Sequence, residues 1–159
     1  MNLKRLGVIV NTHGIKGEVR IISNFEYKDR IFIPGNSIYL NNNNEELKID
    51  TYRKHKNYDM ITFNNINDIR DVLKYKGQNV YYDKDKLVLN DNEYLYDDLI
   101  NLDAYYNNTL IGKIDNIELN GNKKLFVINN KLIPYNDNFI ELIDIPNNKI
   151  ILKNLEGLI

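Results

Sequence analysis

No cysteine occurs among the 159 residues. That excludes a disulfide framework, a thiolate nucleophile and any cysteine-based metal site. Tryptophan is also absent, proline occurs three times and histidine twice. The only serines are Ser23 and Ser37, and neither lies in a G-x-S-x-G turn, so a serine-hydrolase elbow is not encoded. His13 and His55 stand far apart in the chain and fit no metal-ligand spacing. No run of eighteen apolar residues is present, so no membrane-spanning helix is expected. The opening MNLKRLGVIVNTHG has charge followed by apolar residues, but the run is too short for a secretory leader. A cytoplasmic protein without cofactor is the simplest reading.

Hydrophobic residues make up 43% of the chain and charged residues 27%, which is ordinary for a folded protein. Asn, Ile, Lys and Tyr are abundant, as AT-rich codon usage would produce, so an Asn run such as 41–44 carries no function for its composition. The net charge of −1 conceals an asymmetry. Residues 1–82 hold 13 Lys and Arg against 9 Asp and Glu, a balance of +4. Residues 83–159 hold 8 against 13, a balance of −5. Two segments of opposite sign fit two kinds of partner, or a harmless drift of surface charge.

Short runs rich in Val, Ile, Tyr and Phe alternate with Gly, Asn and Asp clusters, the pattern of small closed all-β domains. Strands are predicted over 3–10, 17–24, 37–40, 46–53 and 58–63, with a hairpin loop at 41–44. In NINDIRDVLKYKG, Asn67 is the expected cap and Gly77 the stop of a short helix. Ile69, Val72 and Leu73 share its buried face. Strand returns at 78–82. After a charged boundary come further strands over 103–106, 110–119, 124–129, 131–134, 139–144 and 149–152, joined by Asn- and Gly-rich turns. Two β-barrels in tandem are expected, residues 1–83 and 93–159, with a linker over 84–92 and the short helix closing the first.

The segment VIVNTHGIKGEVRII, residues 8–22, raises the question of an active-site loop. Its glycines lack the spacing of a phosphate loop, and a strand rather than a helix follows. Gly14 and Gly17 read as a tight reversal between strands. His13 reads as a turn residue bonded to a backbone carbonyl, and Glu18 as a solvated or paired carboxylate. Lys16 and Arg20 put positive charge beside the turn, either to meet a phosphate or to be solvated. Tyr94 and Tyr96 would share one face if their segment is extended, and could be core, base-stacking or interface residues. Asp97 and Asp98 read as surface residues rather than a catalytic dyad. No constellation of nucleophile, base or metal emerges, so an enzyme is not expected.

Several of these stretches, taken in order, resemble one family. GVIVNTHGIKGEV, with Gly7, Gly14 and Gly17, is similar to the amino-terminal signature of RimM, the bacterial ribosome maturation factors. IRDVLKYKGQNVYY resembles the close of that family's first domain, and EYLYDDLINL, with Leu99, its tyrosine-pair segment. LIPYNDNFIELID, with Pro134, and the ending LEGLI match as well. In this chain Leu95 separates the two tyrosines, and Asn101 stands at the family's usual glycine. The resemblance implies a translation-factor-like barrel followed by a PRC barrel, in a monomeric, non-enzymatic assembly factor. It implies binding to the immature small ribosomal subunit, help in maturing its head, and support for processing of its 16S rRNA. The implied direct partner is the head protein uS-nineteen, with rRNA contact at the first domain and no membrane or DNA involved. Candidate contact residues are then Tyr94, Tyr96, Asp97, Asp98, His13, Lys16 and Arg20. A rival is a general RNA-binding β-barrel of translation without a dedicated ribosomal-protein partner, which would be basic in both halves.

Overall fold

A computed structural model describes residues 1–40 and 45–159, so the hairpin loop expected at 41–44 lies outside the described residues. The chain divides into two compact units, Met1–Val88 and Leu89–Ile159.

In the first unit six strands close into a barrel in the order β1-β2-β5-β4-β3-β6. They are β1 (Leu3–His13), β2 (Glu18–Ile22), β3 (Ser37–Leu40), β4 (Glu45–His55), β5 (Tyr58–Phe63) and β6 (Asn79–Asp83). Closure requires β1 to pair with both β2 and β6, and it does so by bending. Its register shifts at Arg5/Gly7 and again at Ile9/Asn11, the bulges that let one strand turn a barrel corner. Alternate residues then point inward: Val19 and Ile21 from β2, Ile61 and Phe63 from β5, all fully or almost fully buried.

The expected helix is two successive 3-10 turns, Ile69–Asp71 and Leu73–Tyr75. The change from 3.6 to three residues per turn alters which side chains go inside. Ile69, Val72 and Tyr75 pack on the core, whereas Leu73 is half exposed. The cap is Asp68, not Asn67, because the Asp68 side chain accepts from the Arg70 backbone N–H at 2.8 Å. Gly77 ends the segment and donates to the Ile9 carbonyl at 2.7 Å, tying it to the barrel. Lys84–Lys86 form a further 3-10 turn, and Leu87 packs against the same core.

The second unit begins with a single helical turn, α1 (Tyr96–Leu99). Six strands follow: β7 (Asp103–Tyr106), β8 (Thr109–Asn120), β9 (Lys123–Ile128), β10 (Lys131–Pro134), β11 (Ile140–Asp144) and β12 (Lys149–Leu152). Their order is β10-β9-β8-β7-β12-β11, with β12 parallel to β7 and every other pair antiparallel. The strand pattern alone did not distinguish that parallel pair. Whereas the first ladder closes on itself, the second is open between β10 and β11. Residues 135–139 bridge the gap, with Tyr135 N–H bonded to Lys124 O and Lys153 N–H to Phe139 O. Ile114, Phe126, Ile128, Ile133, Ile150 and Leu152 converge from four strands on one core that also buries Leu99. Pro134 sits on the edge strand β10, where a missing N–H costs nothing.

Asparagine explains the short turns. Asn107, Asn108, Asn129, Asn130 and Asn148 all adopt positive φ at turns between strands. Asn101 does the same, with φ +72, at the position where the resemblance leads one to expect glycine.

Candidate functional site

Inward alternation of Val19, Ile21, Ile61 and Phe63 forces Glu18, Arg20, Tyr58 and Met60 onto the outer face of the first barrel. Across the sheet Arg20 pairs with Met60, Met60 with Arg53, Tyr58 with His55, and Glu18 with His13. Met60 is completely buried despite facing outward. It floors a patch of polar side chains.

The polar groups are linked to one another. Arg53 grips Glu18 with two bonds, Nε to Oε2 at 3.0 Å and a terminal nitrogen to Oε1 at 2.8 Å. The Arg20 guanidinium donates to His13 Nδ1 at 2.7 Å and lies 5.4 Å from the centre of the Tyr58 ring. The rings of His13 and His55 approach to 6.2 Å. Their positions, 42 residues apart, gave no sign of this; only the β1-β2-β5-β4 pairing brings them together. His13 therefore bonds a guanidinium, not the backbone carbonyl expected of a turn residue. Glu18 is a paired carboxylate.

The hydrogen bonds from Arg53 hold the Glu18 carboxyl below the usual range, with the Arg53 charge and the two imidazoles adding to the effect and burial opposing it. The Asp68 carboxyl is drawn from 3.8 to about 2 by its bonds to the Arg70 side chain and backbone. Both folded-state values lie below the unfolded ones. The stability they contribute is thus full above the unfolded values and lost as pH falls through the folded ones. We expect Asp68→Asn to flatten the acid limb of the urea-stability profile between about pH 4 and pH 2, and Glu18→Gln to flatten it just below the ordinary glutamate range.

The turn of residues 14–17 carries Lys16, which is exposed and has no ion pair among the described residues. Gly14 and Gly17 both have positive φ, +67° and +92°. A Cβ on Gly17 would stand 3.3 Å from the Ile66 carbonyl oxygen. Ile69 N–H bonds to Ile15 O at 2.9 Å, so the turn is fixed to the 3-10 segment. HGIKGE is a built reversal and not a cleft.

In the second unit Tyr94 and Tyr96 do not share a strand face, because Tyr96 opens the helical turn α1. Leu95 between them is buried and Leu99 fully so, which pins the segment to the core. Tyr94 packs partly against that core. The Tyr96 ring lies 6.4 Å from Tyr135, and Tyr135 stacks on Phe126 at 4.4 Å. Asp97 and Asp98 are exposed in the turn. Half-buried tyrosines thus stand beside two outward carboxylates. Among the described residues no group of three or more His, Asp or Glu is placed to hold a metal. No helix there is long and apolar enough to cross a membrane.

These features define a class: a tandem of two small all-β units whose chemistry-bearing side chains lie on strand faces and in turns. Residues 4–87 match the RimM N-terminal domain and residues 96–158 the RimM PRC barrel domain, so the chain belongs to the RimM family. It is 39% identical to the ribosome maturation factor RimM of Staphylococcus aureus (strain bovine RF122 / ET3-1), over 97% of both chains. The RimM of Staphylococcus haemolyticus (strain JCSC1435) is 40% identical with the same coverage. Among solved structures, a 16S ribosomal RNA processing protein RimM from Pseudomonas aeruginosa shares the fold. Its TM-score is 0.50 at 19% identity, covering 95% of this chain and 96% of that one.

Proposed function

We propose that this protein is a non-enzymatic assembly factor that binds the immature small ribosomal subunit, assists maturation of its head and supports processing of 16S rRNA. In this reading the second unit binds the head protein uS-nineteen and the first leans on rRNA. The observation that carries the division of labour is charge. Residues 1–88 hold 15 Lys and Arg against 11 Asp and Glu, while residues 89–159 hold 6 against 11. Ribosomal proteins that sit on rRNA are basic, and an acidic surface speeds and orients encounter with a basic partner. Asp97 and Asp98 beside Tyr94 and Tyr96 offer such a partner charge together with aromatic contact area.

The mechanism needs no turnover. A factor that binds one immature head conformation better than its alternatives raises the population of that conformation by its differential affinity. It leaves when mature contacts displace it.

The test uses the full-length chain and purified uS-nineteen. Asp97→Asn with Asp98→Asn is expected to weaken binding about tenfold at low salt, while Lys16→Gln with Arg20→Gln leaves it unchanged. An unchanged affinity in the aspartate variant, or a loss confined to the Lys16 and Arg20 variant, would refute the assignment.

A further inference from the structure

We propose that His13, His55 and Arg20 form a proton-linked clamp for a backbone phosphate of RNA on the outer face of the first barrel. The inference rests on the reading that this unit meets rRNA, and adds the residues and the proton linkage.

An arginine has donors and no acceptor, so the 2.7 Å contact to His13 Nδ1 makes that nitrogen the acceptor. His13 is then neutral, with its proton on Nε2. Arg20 is therefore a full cation whose partners are a neutral imidazole and the Tyr58 ring. Its Nε is buried without a hydrogen-bond partner. Glu18, the carboxylate of this patch, is already occupied by both bonds from Arg53. Cationic donors are in place here, and among the described residues no carboxylate pairs with Arg20.

The groups facing one another are His13 from β1, Glu18 and Arg20 from β2, Tyr58 from β5, and Arg53 and His55 from β4. A second positive charge on His13 would sit against Arg20 and place an N–H against an N–H. An arriving phosphate removes that obstacle. Arg20 turns its donors to the phosphate oxygens, and His13, released, takes up a proton and donates as well, with His55 adding a second imidazole from across the patch. Buried Met60 beneath keeps water from the floor and strengthens these contacts. The patch lies on an open strand face, which suits a phosphate on a polymer more than an enclosed small molecule.

The test is anisotropy of a labelled RNA hairpin with the full-length chain at fixed ionic strength. Affinity is expected to rise about tenfold from about pH 8 to about pH 5.5, and less than about twofold in His13→Asn with His55→Asn. Calorimetry on the unmodified chain, in buffers of different ionisation enthalpy, should show about one proton taken up per complex near neutrality. A flat profile, equal pH dependence in the variant, or no proton uptake overturns the clamp. Inorganic phosphate that competes as well as RNA overturns its assignment to a polymer phosphate. Co-sedimentation with small-subunit precursors, measured in parallel, separates the outcomes. Its loss counts against the assembly role, and its retention with a flat pH profile counts against the clamp alone.

Discussion

Gly7→Ala is expected to destabilise the first barrel by roughly 3 kcal/mol or more, read as a lower urea midpoint at unchanged slope. The reason is contact, not conformational freedom. A Cβ at this position would stand 2.2 Å from the Ile22 carbonyl oxygen and 3.1 Å from Ser23 Cβ. The nearest atom is backbone, so no side-chain rotation relieves the clash. Gly7 follows the register shift at Arg5/Gly7, where β1 bends to pair with β6 as well as β2. Ser23 anchors the same corner, donating to the Leu6 carbonyl at 2.6 Å. Parting the strands to admit a methyl group would disturb both. The position was legible as a motif glycine, but only the closed barrel shows what it accommodates.

Lys28→Ala is the second large effect, with an expected loss of about 3 kcal/mol. Asp59 is completely buried. Its charge is matched by Lys28 Nζ at 2.9 Å and its second oxygen accepts from the Tyr52 hydroxyl at 2.7 Å. Burial and the bond to Asp59 push the Tyr52 hydroxyl well above the usual tyrosine range, so it remains a donor throughout the neutral region. Removing Lys28 leaves a carboxylate inside the barrel with one neutral partner, and the desolvation cost falls on the folded state. Adding Asp59→Asn to Lys28→Ala is expected to restore part of the loss, because the uncompensated charge goes with it. Denaturation of Lys28→Ala, Asp59→Asn and the double variant checks this. Full additivity of the two single effects would show that the pair does not act as a unit.

Where local pattern determines structure, the sequence was readable. Apolar alternation marked the strand over 17–24, in which Val19 and Ile21 are buried, and Asn and Gly clusters marked the turns that join the strands. The amino-terminal and PRC segments were recognisable as residue patterns, and the family match covers both. What depended on long-range pairing was not readable. Periodicity chose Leu73 for the core at 69–77, but a tighter turn places Tyr75 there. The two tyrosines would share a face only on an extended segment, and burial of Leu95 and Leu99 goes with a helical turn at Tyr96–Leu99 instead. His55 and Arg53 carried no sequence mark at all. They join His13, Glu18 and Arg20 only because β4 lies beside β5, and β5 beside β2. The lone histidine of the HGIKGE turn thus became one member of a five-residue polar patch by topology, which no spacing rule contains.

The particles that the protein joins test its assembly role most directly. Lysate resolved on a sucrose gradient at physiological salt, with the full-length chain detected across the fractions, measures this. The chain is expected with free small subunits and their precursors, and at background level with translating ribosomes. Migration with translating ribosomes, or at the top of the gradient apart from all ribosomal particles, would contradict an assembly role.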